Sequence, residues 1–121
     1  MDSVRLRQRL KERLNVAMTA RDSIAVAAFR SAIGAIDNAE AVDAPAPARG
    51  PADIRLGVGA AEAARRELSA QDLVGVIEAE VRDCTAAAAE YQRLDRAEQA
   101  SRLKAEAAAL QTFLETVLKE L

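Results

Sequence analysis

Residues 69–94 read SAQDLVGVIEAEVRDCTAAAAEYQRL, and residues 97–121 read AEQASRLKAEAAALQTFLETVLKEL. In the first stretch Leu73, Ile77, Val81, Cys84, Ala88 and Tyr91 recur at intervals of four and three, and Leu94 continues the row. That period places them on one stripe of an α-helix. Glu78, Arg82 and Asp83 fall on the opposite side. Ser69 followed three residues later by Asp72 is a helix-start signal, in which each side chain serves a backbone N–H of the other residue. In the second stretch Ala100, Leu103, Ala107, Leu110, Leu114, Val117 and Leu121 form another such row. Only Asp95 and Arg96 separate the two, so the helices must turn back on one another. Alanine at many facing positions lets the axes approach closely, toward about 8 Å. The expectation is an antiparallel hairpin over 69–121, turning at residues 94–96, with Leu73, Ile77, Val81, Tyr91, Leu103, Leu110 and Leu114 inside. Cys84, on the same stripe, is expected to be a buried structural thiol.

Upstream, Asp2 or Ser3 can cap a first helix carrying Leu6, Leu10, Leu14, Ala17 and Met18 on one stripe. Arg5, Arg9 and Arg13 form an adjacent, solvent-facing row. The run 19–23 breaks that helix, and Asp22 is a good N-cap for a second one ending near Glu40. Ile24, Ala27, Ala28, Ile33 and Ile36 are its core candidates. Gly34 sits inside it at a cost of about 1 kcal/mol against Ala, tolerable if another helix packs closely there. Residues 41–58 contain all three prolines and lack a sustained period, which marks a surface connection expected to be mobile. Residues 60–68 are expected to be helical in part, from their Ala, Glu and Arg content. The organisation is one all-α domain over 1–121: a helix pair at 1–40, a Pro/Gly/Ala-rich connection at 41–68 and the hairpin at 69–121.

Composition agrees with this class. The chain has 121 residues, 50% of them hydrophobic and 2% aromatic, so Leu, Ile, Val and Ala must build the core. That supply suits close-packed helices better than a β-sandwich. There is no histidine, which excludes Ser-His and Cys-His nucleophile pairs and removes the commonest zinc ligand. A single cysteine excludes an intrachain disulfide and a CxxC site. Gly57-Val58-Gly59 is too short a signal for a phosphate-binding loop. Catalytic, cofactor-binding and metal-binding residues are therefore none. Net charge is −2, but residues 1–21 carry +4 and the remainder −6. Such asymmetry either steers a polyanion toward one end or reflects a solvated helix face. Glu78 with Arg82 and Arg102 with Glu106 are spaced as intrahelical ion pairs. No segment has the length of a membrane span and no signal-peptide pattern opens the chain, so the expected address is cytoplasmic, away from membranes.

Two stretches carry a resemblance. One runs from Thr19-Ala20-Arg21-Asp22 through Phe29-Arg30 to Ala35-Ile36-Asp37-Asn38-Ala39-Glu40. The other takes in Glu80-Val81, residues 86–89, Glu90-Tyr91, Arg96, Ala100, Leu103, Glu106, Leu110 and Phe113-Leu114. Together they resemble the N-terminal helical domain of the GatB/YqeY family, which is related to the tail of the B subunit of tRNA-dependent amidotransferases. Three departures stand out. Cys84-Thr85 replaces a basic pair, Asp95 stands where the family has glycine before the turn arginine, and the family's smaller C-terminal helical domain is not expected here.

The resemblance implies a non-catalytic accessory linked to carbon–nitrogen ligation with glutamine as amide donor, with an amidotransferase as protein partner. The alternative is a protein–protein interaction or self-association module, a homo-oligomer included, with no tRNA role. The family pattern singles out Asp22, Arg30, Asn38 and Glu40 as candidate binding residues. Arg5, Arg9 and Arg13 join them as the source of a weak tRNA contact. Each of the four also has a structural use: Asp22 as a cap, Arg30 as an ion-pair partner, Asn38 and Glu40 as helix-end polar groups.

Overall fold

A computed structural model of the chain describes residues 1–42 and 67–121. These form four helices and no strand: α1 (Ser3–Thr19), α2 (Ser23–Val42), α3 (Ala70–Arg93) and α4 (Ala97–Leu118). α2 runs two residues past its expected end near Glu40, so positions 41 and 42 of the expected connection are helical. Residues 43–58 of that connection, and the helix expected at 60–68 up to residue 66, lie outside the described residues. Glu67 and Leu68 are described and are not helical.

The helix starts follow the local chemistry. Asp2 caps α1 by accepting from the Arg5 N–H at 2.8 Å. The Asp22 carboxylate accepts from the Ala25 N–H at 3.1 Å at the start of α2. Ser69 and Asp72 form a reciprocal capping box, with bonds of 3.1 and 3.0 Å. Leu68 and Leu73, on either side of it, are both buried in one core, which fixes the angle at which the chain enters α3. Arg96, by contrast, caps α4 with no side-chain hydrogen bond.

The two helix pairs turn by the same device. At the end of α1 the Asp22 N–H donates to the Ala17 carbonyl and the Arg21 N–H to the Met18 carbonyl. At the end of α3 the Arg96 N–H donates to Tyr91 and the Asp95 N–H to Gln92. This is the Schellman pattern, and it demands a left-handed residue at its centre. Arg21 (φ 56°) and Asp95 (φ 57°) take that conformation, although neither is glycine. The turn at residues 94–96 is the expected one.

α3 and α4 form the antiparallel hairpin, and α2 packs against both. The shared core joins Leu6 and Leu10 of α1, Phe29 and Ile36 of α2, Leu73 and Ile77 of α3, and Leu110, Phe113 and Leu114 of α4. Phe29 and Phe113 meet edge to face, with centroids 6.0 Å apart and planes at 73°. Phe29, Ala32 and Phe113 are buried core residues that the stripes alone did not pick out.

Several expected core positions are less covered. Leu73, Ile77, Leu110 and Leu114 are buried, but Val81, Cys84, Tyr91 and Leu103 are only half-buried, as are Leu14, Ile24, Ala27 and Ile33. Met18, Leu94 and Leu121 are exposed. The reason is geometric: the core common to all four helices extends along α3 only to Val81 and along α4 only from Ala109 onward. Beyond that level Ala88, Ala100 and Ala107 are buried without belonging to that core. Two helices cover less of a stripe than four do. Gly34 also departs from expectation, since nothing lies within 4 Å of where its Cβ would stand.

Candidate functional site

The sequence-derived candidates arise on α1, α2 and the turn between them. α1 presents Arg5, Arg9 and Arg13 at four-residue spacing away from the buried Leu6 and Leu10; Arg5 and Arg13 are exposed, and Arg9 is half-buried. Arg5 is exposed and has no ion-pair partner among the described residues. Arg9 forms an ion pair with Glu120, just past the end of α4. The Arg13 guanidinium lies 5.9 Å from the centroid of the Phe29 ring, within cation–π range. Arg9 and Arg13, together with Phe113 and Thr116, border a depression of about 80 Å³.

On α2, Glu40 is half-buried and pairs with Arg7, which bolts the start of α1 to the end of α2. No local signal in the sequence marks Arg7, because its partner lies 33 residues away. The pair stands beside a second depression of about 120 Å³, lined by Arg7, Leu10, Lys11, Ile33, Ile36 and Asp37. Arg30 and Asn38 are exposed on α2, and Arg30 has no ion pair among the described residues. Asp22 is engaged as the α2 cap. The seven candidates therefore do not converge on one point. Arg9 and Arg13 share a surface, Glu40 lies on the α1–α2 seam, and Asp22 sits in a turn.

The expected pairs Glu78–Arg82 and Arg102–Glu106 are not formed; within the hairpin Glu90 pairs with Arg93 instead. Cys84 is half-buried. Burial pushes its thiol above the ordinary range, and the carboxylates of Glu106, Glu80 and Asp83 push it further. A nucleophilic thiolate needs the opposite surroundings.

Among the described residues, no three His, Cys, Asp or Glu side chains gather to hold a metal ion. No described helix is long and apolar enough to cross a membrane. Both depressions are far smaller than the roughly 300–1,000 Å³ of ordinary small-molecule sites. What the arrangement offers is surface: a basic row over an aromatic edge at one end, and an alanine-rich hairpin at the other. Comparison with family models, with curated proteins and with solved structures finds no match to this chain.

Proposed function

We propose that this chain is a non-catalytic helical module of the GatB/YqeY kind, an accessory to glutamine-dependent amide formation on tRNA that acts by binding and not by chemistry. The observation that carries the non-catalytic part is the use already made of the candidate side chains. Asp22 caps a helix, Glu40 and Arg9 are in ion pairs, and Arg13 lies over Phe29. Function must be argued from the site and not from fold alone. Both depressions bordered by described residues are too small to enclose a substrate, and burial and nearby carboxylates push the Cys84 thiol away from its nucleophilic thiolate form.

The link to the amidotransferase rests on the resemblance. It is supported by the left-handed Asp95, which stands where the family pattern has glycine and adopts the backbone that glycine favours. Affinity capture of the tagged chain from its own cells tests the link, with mass spectrometry for protein and sequencing for RNA. Amidotransferase subunits should be enriched over a capture with an unrelated helical protein. Their absence from repeated captures overturns the link.

A further inference from the structure

On α3, Val76, Glu80, Cys84, Ala87, Tyr91 and Leu94 recur at four, four, three, four and three residues, one straight row along the helix. The first part of this row is covered. Val76 packs against the shared core, and the Glu80 carboxylate accepts from the Ser31 hydroxyl of α2 at 2.9 Å. The rest continues past the end of that core. Cys84, Ala87 and Tyr91 are half-exposed, and Leu94 is 59% exposed. The bare part is thus the direct extension of a surface on which a helix already docks. It lies on an arm about 20 Å long, taking 1.5 Å for each residue beyond Val81.

The bare row complements its own reverse. Laid antiparallel on a copy about a two-fold axis level with Ala89, Cys84 falls opposite Leu94 and Ala87 opposite Tyr91. A small side chain meets a large one at every step, as an interdigitating interface requires. The second helix of the arm fits the same axis. Cys84 stands near Glu106 across the hairpin, so Ala89 is level with Ser101, and Arg96 and Glu106 lie equally far on either side of it. Neither has an ion-pair partner among the described residues. Such an axis sets Arg96 of each copy level with Glu106 of the other.

We propose that two copies of this chain pair arm to arm, antiparallel, through the row Cys84, Ala87, Tyr91 and Leu94, with Arg96 and Glu106 closing the rim. The pairing requires neither tRNA nor an amidotransferase. Its area is that of two short helices on two, which places it with weak, reversible interfaces.

Sedimentation equilibrium of the full chain over a wide range of loading concentrations should show a monomer–dimer equilibrium. Leu94→Asp should weaken dimerisation about tenfold or more, because the new carboxylate loses its water on pairing. Its thermal midpoint at low concentration should match the parent's, since Leu94 lies outside the shared core. Glu106→Arg should weaken the dimer, and Arg96→Glu added to it should restore the parent constant. Leu94→Cys should give, under mild oxidation, a dimer linked through Cys84 of the second copy and lost on Cys84→Ser. A chain that stays monomeric at every loading overturns the proposal, including the case where the arm instead takes a helix of another protein. A dimer unmoved by Leu94→Asp and Glu106→Arg overturns it equally, since that dimer uses another face.

Discussion

Gly34 and Gly75 lie in the exposed middles of α2 and α3 with open space where a Cβ would stand. A helix-interior glycine costs about 1 kcal/mol against alanine, so Gly34→Ala and Gly75→Ala should each stabilise by about that amount. Thermal melts should show both midpoints rising by about 3–5 °C; a fall at Gly34 would mean that something packs there after all. Asp95 and Arg21 hold the left-handed backbone at the two turns. Glycine relieves that strain but loosens the unfolded chain, and Asp95→Gly should gain about 0.5–1 kcal/mol net. The left-handed Asp95 was legible from the glycine that the family pattern places there. Arg21 was not, because no residue signal marks it and the geometry is imposed by the helix ends on either side. Cys84 bears on pH. Its thiol is raised in the folded state, so its contribution to stability is complete below the ordinary thiol value and is lost as pH climbs through the raised one. A disulfide reagent at mildly alkaline pH should therefore react with it more slowly than with a free thiol. Glu106→Gln should speed the reaction, and an unchanged rate would show that this carboxylate does not reach the sulfur.

The periodicity of α3 and α4 made the hairpin legible, its turn and both stripes included. It could not say how many helices cover each part of a stripe. Ile77 and Tyr91 belong to the same row, yet Ile77 is fully buried under all four helices and Tyr91 is half-covered on the arm. Coverage is decided by where α1 and α2 end up, which their own sequences do not encode locally. The two zones of the hairpin should answer mutation differently. Ile77→Asp places an unpaired charge in the shared core and should cost about 3–5 kcal/mol, unfolding the domain. Ala100→Leu enlarges a side chain in the tight seam of the arm and should cost about 1–3 kcal/mol. Urea titrations separate the two, and the second variant should keep the parent's helical circular dichroism in water. An Ile77→Asp variant melting within a degree or two of the parent would refute the core assignment.

For the molecule as a whole, the basic N-terminal segment was visible in the sequence, but its commitments were not. Glu120 lies 111 residues from Arg9, and only the tertiary fold joins them. With Arg9 paired and Arg13 over a ring, Arg5 is the member of the row left for a phosphate. The isolated chain should therefore bind tRNA weakly, near 10⁻⁴ to 10⁻⁶ M at best, with affinity falling steeply as salt rises. The described aromatic rings are buried or half-buried, so none stands open as a platform for unpaired bases. Fluorescence anisotropy at low and physiological salt checks this, and submicromolar, tRNA-selective binding that survives salt would contradict it. The arm also has a kinetic meaning. The shortest loop that can bring α3 and α4 together is the one at its tip, so closure is entropically cheapest there. Yet the buried residues nearest that tip are alanines, Ala88 and Ala100, while the leucines and phenylalanine lie at the far end. A zipper starting at the turn must run uphill past those methyl groups before Leu110 and Ile77 engage. The turn then belongs to the folding transition state, and Asp95→Gly should appear in a chevron as faster refolding with the unfolding limb nearly unmoved.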